Sequence, residues 1–306
     1  MDYKRVFKKA DTRAKILSFL SFIPDKPMLK IQYYIKQGKK LNLENPQLYT
    51  EKLQWYKLNY KNPLLIKCVD KYDVREYVKE KGLSEILNVC YGVYDDPDDV
   101  DFGALPDSFV AKDTMGGGSR GVVIIKNKND LNEQELKETM TSWIKTPSSK
   151  RNLGREWPYY SGKKHRIIIE KYLDSNPADG GLVDYKFFCF NGEPKFLYVI
   201  ADRKMGQNAG IGIYDSDYKR LPFDRADERP LERDLPKPNN YDEMLTVARR
   251  LSEDFPHARI DLYSVEGKTI FGEITFYPGS GYMQFAPADF DKIIGDAFVL
   301  PDKKFF

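Results

Sequence analysis

Cysteine and histidine are scarce in this 306-residue chain, which has three cysteines (Cys68, Cys90, Cys189) and two histidines (His165, His257). The cysteines form no CxxC pair and no metal-type spacing. Such a sparse, odd set argues against a disulfide framework and fits a reducing compartment. Two histidines leave little material for a His-based zinc site or a Ser-His-Asp triad. Long apolar runs are also missing. The longest near the start, Ile16 to Ile23, is interrupted by Ser18 and Ser21 and is too short to span a bilayer. No small-residue cleavage site follows it, so a cytoplasmic protein is the expectation. Charge of one sign is lacking too: the net charge is +3, without the clustered basic patch expected of a nucleic-acid binder. The basic stretch Lys4 to Lys15, followed by Ile16 to Phe22, leaves two readings. It is a peripheral contact with an anionic membrane surface, or a first helix docked on the domain.

Hydrophobic residues make up 41% and aromatics 14% of the chain, enough to bury one or two sizeable cores without covalent staples. Residues 1 to about 90 read as helical, with Asn45-Pro46 as a turn ahead of a helix from Tyr49 to Leu58 and a second helix from Asp70 to Lys81, stopped by Gly82. Residues 83 to 105 read as loop. Strand patterns follow: 108–112 and 122–125 form a hairpin across a glycine-rich turn, and 166–170 is a further strand. Residues 185–191 and 194–201 pair around Asn191-Gly192, and 259–265 and 269–276 pair around Glu266-Gly267. Helices are expected at 131–143, at 241–255 and near the end of the chain. Helices first, then antiparallel hairpins alternating with helices, define an α+β class. The expected organisation is a helical region at 1–90, a lobe carrying the glycine loop at 91–172, and a C-terminal lobe at 173–306.

Three segments hold residues suited to chemistry. Lys112 stands at a strand end before Gly116-Gly117-Gly118-Ser119-Arg120-Gly121, a composition that lets backbone N–H groups and cations approach phosphates, or simply makes a hairpin tip. The run Ile167-Ile168-Ile169-Glu170-Lys171-Tyr172-Leu173 is an apolar strand leading into a linker whose backbone suits adenine, or a buried strand with a solvated end. Arg259-Ile260-Asp261 and Glu273-Ile274-Thr275 lie on paired strands with Asp261 and Glu273 on one face. Facing carboxylates repel unless a cation lies between them, and Mg²⁺ accepts one or two carboxylates plus phosphates. Exposed ion pairs are the alternative. Pro278-Gly279-Ser280-Gly281 beyond them offers small residues and free N–H groups.

The order of these segments resembles the ATP-grasp superfamily, and in finer detail its TupA-like branch, found in gene clusters for bacterial capsule and teichuronopeptide-type polysaccharides. The residues carrying the resemblance are Asp184-Tyr185-Lys186-Phe187-Phe188-Cys189-Phe190-Asn191-Gly192 and Phe271-Gly272-Glu273-Ile274-Thr275-Phe276-Tyr277-Pro278-Gly279-Ser280-Gly281. Asn45-Pro46 through Trp55 and Lys67-Cys68-Val69-Asp70-Lys71-Tyr72 add to it. The resemblance implies an ATP-grasp fold, with two α+β lobes whose antiparallel sheets clamp ATP, preceded by a helical N-terminal region. It implies that Lys67, Lys71 and Lys112, with Gly117, Gly118 and Ser119, meet the phosphates of ATP. Glu170, Lys171, Tyr172 and Leu173 would meet adenine, and Asp174 or Asp179 the ribose. Asp261, Glu273 and Thr275 would hold Mg²⁺; many members carry Asn at the last position. Arg259 would stabilise the transferred phosphoryl group, with Lys186 and Arg203 as further contacts to phosphate or carboxylate. The implied reaction joins a carboxylate to an amine through an acylphosphate, on sugar-linked or amino-acid substrates.

Three other classes compete. A glycosyltransferase would need a DxD motif after a buried strand, whereas Asp215-Ser216-Asp217 lies in a polar turn. A kinase would stop after phosphorylation. A non-catalytic scaffold would not need Arg259, Asp261 and Glu273 together.

Overall fold

The computed structural model describes residues 10–117, 121–146, 152–174, 181–202 and 209–302. The chain divides into two compact units, one of residues 1–62, 152–157 and 175–306 and the other of residues 63–151 and 158–174. The candidate residues Gly118, Ser119 and Arg203, together with Asp179, lie outside the described residues.

The first unit opens with helices α1 (Ala10–Phe19), α2 (Asp25–Gln37) and α3 (Tyr49–Asn59). Helix α3 begins where the Asn45-Pro46 turn predicts it. Glu51 in its first turn reaches back to accept from the N–H groups of Gln47 (3.0 Å) and Leu48 (3.2 Å), satisfying donors that the helix start leaves orphaned.

The second unit holds α4 (Leu64–Val69), α5 (Val74–Glu80) and a four-stranded antiparallel sheet. Its strands are β1 (Cys90–Tyr94), β2 (Phe109–Asp113), β3 (Val122–Ile125) and β4 (Ile167–Lys171), in the order β1-β4-β2-β3. Helix α6 (Glu133–Ile144) is capped by Asn132, whose side chain accepts from Glu135 N. Its Leu136, Met140 and Trp143 recur at helical spacing and pack with Phe109, Ala111, Ile167 and Ile169 from one face of the sheet. The helix expected at 70–81 is α5, shorter at its start and with Asp73 at its N-cap; α4 lies ahead of that range. Asp70 Oδ1 accepts from Tyr72 N (2.9 Å) and Asp73 N (2.8 Å), an alternative to helical hydrogen bonding that delays the start of α5 to Val74. Strand β1 falls in the stretch read as loop; it is half-buried, without strict alternation, and is irregular between Cys90 and Gly92.

The first unit continues with a six-stranded sheet built from β5 (Asp184–Phe190), β6 (Glu193–Ala201), β7 (Gly210–Asp215), β9 (Arg229–Pro230), β10 (His257–Val265) and β11 (Lys268–Thr275). The two-residue β8 (Asp224–Arg225) pairs separately with β12 (Phe285–Ala286). The six-stranded order is β11-β10-β5-β6-β7-β9, antiparallel throughout except for the parallel β7–β9 pair. Both predicted hairpins are present, with Asn191 and Glu266 at positive φ ahead of Gly192 and Gly267. Period-2 alternation divides the sheet. Tyr185, Phe187, Cys189, Ala258, Ile260 and Leu262 share one face, packed beneath helix α7 (Tyr241–Ser252), which buries Met244, Val247, Ala248 and Leu251. The other face carries Lys186, Phe188, Phe190, His257, Arg259 and Asp261.

On that second face Tyr49 of α3 packs edge-on against Phe188, Phe190 and His257. His257 Nδ1 donates to Cys189 O (2.9 Å), so Nε2 accepts from Tyr49 Oη (2.8 Å). Burial drives the imidazole pKa down to about 3, and it stays neutral.

Helix α8 (Phe290–Ala297) locks onto the start of α3. Asp291 accepts from Thr50 N (2.9 Å) and Thr50 Oγ1 (2.7 Å), while Lys52 Nζ donates to Gly295 O and Phe298 O (both 2.7 Å). The close approach needs glycine: a Cβ on Gly295 would lie 2.3 Å from Gln47 O. Gly295→Ala should therefore destabilise the protein by about 1–3 kcal/mol, opposite in sign to the helix preference for Ala. Urea unfolding of the variant beside the wild type measures this.

Candidate functional site

The chemistry-bearing residues of the first unit converge on the three strands β11, β10 and β5 at one side of its sheet. In register, Asp261 on β10 lies opposite Glu273 on β11 and opposite Lys186 on β5, and Arg259 lies opposite Thr275. The pairing slips between Asp261 and Leu262, leaving Gly272 as an extra residue in β11. A Cβ there would lie 2.9 Å from Asp261 O, so this bulge requires the smallest residue.

Arg259 grips Asp261 through two parallel bonds, Nε to Oδ1 and Nη2 to Oδ2, both 2.7 Å. The same Nη2 donates to Glu273 Oε1 (3.2 Å) and Thr275 Oγ1 (3.1 Å), and Thr275 Oγ1 donates to Glu273 Oε1 (3.1 Å). Lys186 Nζ closes on Asp261 Oδ2 from the other side. Asp261 is 1% exposed at its side chain, whereas Glu273 is 42% exposed. Burial pushes the Asp261 carboxyl up, against Arg259 and Lys186, which favour its ionised form. Burial alone would lower the Arg259 guanidinium, but Asp261 outweighs it and holds Arg259 above its usual range. The arrangement is a buried carboxylate between two fixed cations, with a second carboxylate at the solvent edge. It can present positive charge to an anion and hard oxygens to a cation. Among the described residues no group of three His, Cys, Asp or Glu side chains converges.

In the second unit, Lys112 and Glu170 come together: they share a face across β2 and β4, with Lys112 Nζ 2.6 Å from Glu170 Oε2. Arg75 of α5 approaches the other oxygen of Glu170 (3.4 Å) and donates to Asn88 O (2.8 Å). Lys71 donates to Gly116 O at the glycine turn, and its backbone N–H to Thr114 O (2.8 Å). Gly117 is exposed, in open space. Lys67 is engaged on α5, with Glu76 (2.9 Å) and Glu80 (3.0 Å). Lys171 is exposed, and its backbone is spent inside the sheet: N–H to Val89 O, carbonyl from Asn88 Nδ2, both 2.9 Å. Tyr172 and Leu173 follow, half-buried.

Sequence reasoning missed a second buried ionic group in the first unit. Lys57 of α3, with no side-chain exposure, donates to Gly154 O and Ser280 O (both 2.8 Å) and to Ser280 Oγ (3.0 Å), and lies 3.8 Å from Glu156. Ser280 Oγ in turn donates to Glu156 Oε1 (2.5 Å), and Gln54 Nε2 donates to Gly281 O (2.8 Å). Lys57 and Gln54 thus clamp the Pro278–Gly281 turn that follows β11. The expectation of free N–H groups in this turn fails at Ser280, whose N–H bonds Tyr277 O (2.8 Å). Burial lowers the Lys57 ammonium to about 7, opposed by Glu156. The only signal in the sequence was a lysine three residues after Gln54 on a helix with buried Leu53 and Tyr56. The DxD candidate is a turn: Asp215 Oδ1 accepts from Asp217 N (3.0 Å) and Lys219 N (2.8 Å).

Residues 51–299 match the family model described as TupA-like ATPgrasp, and the chain belongs to that family. No curated protein matches it. Among solved structures it is similar to an L-amino acid ligase from Bacillus licheniformis (13% identity, TM-score 0.45, covering 99% of this chain and 65% of that one). It is also similar to D-alanine–D-alanine ligases from Helicobacter pylori (16%, 0.42, 81% and 67%) and Bacillus anthracis (19%, 0.40, 69% and 57%). The chain thus spans between 57% and 67% of the length of these enzymes.

The Lys57 clamp yields a stability prediction. Lys57→Met removes the cation beside Glu156 and one donor each from Gly154 O and Ser280 O, leaving Glu156 with only the neutral Ser280 hydroxyl as donor, and should cost about 3 kcal/mol. Lys57→Met combined with Glu156→Gln should cost less than the single change, because no carboxylate is then left without its cation. Chemical unfolding of the two variants and the wild type distinguishes the effects.

Proposed function

We propose that this chain is an ATP-dependent ligase that phosphorylates a substrate carboxylate and passes the acyl group to an amine. The observation carrying this reading is the Lys186–Asp261–Arg259–Glu273 cluster, which lies within the stretch matched by the family.

The donor chemistry suits Mg²⁺, which would have to replace Lys186 or Arg259 at one of the Asp261 oxygens they hold. Asp261 and Glu273 face one another in register, both offer hard oxygens, and the half-exposed Glu273 leaves an edge open to phosphate oxygens. These two would hold the ion, with Thr275 beside them, and the ion would neutralise charge on the phosphates of ATP. The chain's own cations do the rest. Arg259, fixed by its two bonds to Asp261, and Lys186 offset charge that builds on the phosphoryl oxygens. A carboxylate oxygen of the substrate forms a bond to the γ-phosphorus, the bond to the β,γ-bridging oxygen breaks, and ADP departs. The amine then attacks the acyl carbon, phosphate leaves with the bonding pair, and the amine proton passes to solvent. No nucleophilic side chain is needed. In the second unit, Lys112 and the backbone at Tyr172 and Leu173 are assigned to the nucleotide by the family resemblance, as are Lys71 and Gly117. We place the substrates among acidic sugars or amino acids of a bacterial surface polymer, a placement that rests on the family resemblance read from the sequence.

The test is ADP release from Mg-ATP with panels of carboxylates, with hydroxylamine replacing the amine. Carboxylate-dependent ADP release accompanied by hydroxamate is expected, with Glu273→Gln slower by ~100-fold or more. Transfer of phosphate to a hydroxyl without hydroxamate would make the protein a kinase. Wild-type rates in Glu273→Gln would remove that residue from the metal site.

A further inference from the structure

Helix α2 has two apolar faces. Met28, Leu29 and Tyr33 are buried, as amphipathic packing requires. The opposite side also carries apolar residues, Ile31, Tyr34 and Ile35, at 44%, 60% and 47% exposure. Nothing described covers them. They line a shallow depression together with Lys30, Lys40 and Leu41. Beside it, sharing Lys30, Lys40 and Leu41, is a cleft of about 690 Å³ that adds Lys26, Trp55 and two asparagines. Just upstream of α2, Phe19 and Phe22 contact each other edge-on and are 77% and 76% exposed.

Positive charge predominates around this face. From Lys26 to Leu43 the chain contains five lysines and no acidic residue; Lys39 pairs with Asp291 (3.7 Å) and Lys36 lies over the Tyr282 ring, while Lys26, Lys30 and Lys40 line the depression and the cleft. Asp25, the acid at the start of α2, is held by Arg155 (2.9 Å), and Glu44 is the one acid lining the cleft. The clustered basic patch not apparent in overall composition is therefore present here. Solvated lysines alone would be an ordinary surface, and exposed isoleucines alone would call for a protein partner. An apolar helix face with a tyrosine, ringed by lysines, matches the layered chemistry of a bilayer surface: acyl boundary beneath, anionic phosphates above.

We infer that the outer face of α2 docks on an anionic lipid bilayer, with Ile31, Tyr34 and Ile35 entering the headgroup region and Lys26, Lys30 and Lys40 meeting lipid phosphates. This contact is separate from the basic stretch Lys4 to Lys15 and independent of the reaction proposed above.

The test is co-sedimentation of the full chain with vesicles of phosphatidylcholine alone and of equimolar phosphatidylcholine and phosphatidylglycerol. Three variants are compared: Lys26→Gln/Lys30→Gln/Lys40→Gln, Ile31→Ser/Tyr34→Ser/Ile35→Ser, and Lys4→Gln/Arg5→Gln/Lys8→Gln/Lys9→Gln. All altered side chains on α2 and at Lys40 are exposed, so unfolding midpoints should match the wild type. Binding to the anionic vesicles only, weakened on the order of 100-fold by the three-lysine variant and also reduced by the apolar variant, is the expected result. Wild-type sedimentation of either α2-face variant overturns the assignment, as does loss of binding confined to the Lys4–Lys9 variant. Failure of the wild type to bind anionic vesicles overturns it outright.

Discussion

The first unit is organised around one buried negative charge. Asp261, buried on its sheet face, would cost several kcal/mol of desolvation if left alone there. Arg259 and Lys186 offset that cost from opposite sides, and Glu273 and Thr275 complete the hydrogen bonding of the guanidinium. Lys186 arrives on β5, Arg259 two residues away on β10, and Glu273 and Thr275 on β11. The charge balance therefore holds only when β5, β10 and β11 are in correct register, and register also sets which side of the sheet meets α7.

The surrounding structure keeps that register. The bulge at Gly272 brings Glu273 opposite Asp261 while Leu262 still pairs with Phe271 and remains buried. Aromatic packing of Tyr49 against Phe188, Phe190 and His257 closes the same face next to the ionic cluster. Lys57 and Gln54 hold the turn immediately after β11 by its carbonyls. A polar cluster pinned in this way is pre-organised: its dipoles and charges need little rearrangement to meet a charged ligand, which is where catalytic electrostatics gains most.

What the sequence made legible was local. Alternation of Arg259 and Asp261, and of Glu273 and Thr275, across Glu266-Gly267 revealed both strands and the face they share. Asn45-Pro46 marked the start of α3, and the helix ending at Ile144 was visible from its apolar spacing. What it hid was set by distant partners or by side chains competing with the backbone. Lys186 reaches Asp261 across 75 residues of chain, a pairing no local pattern encodes. Asp70 bonds Tyr72 N and Asp73 N, so α5 starts at Val74 rather than at Asp70. Lys57 resembles any solvated helix lysine until the Pro278–Gly281 turn closes over it. The outer face of α2 was obscured because its apolar residues look like core in sequence.

The proposed function requires the Asp261–Glu273 pair to bind Mg-ATP. Thermal unfolding of the wild type and Glu273→Ala, with Mg²⁺ alone, Mg-ATP and Mg with UDP-sugars, tests it most directly. At about a hundred times its dissociation constant a ligand adds roughly 2.7 kcal/mol, a readily visible shift. The account predicts that Mg-ATP stabilises the wild type and not Glu273→Ala. Stabilisation by a UDP-sugar alone, or equal stabilisation of both proteins by Mg-ATP, would contradict it.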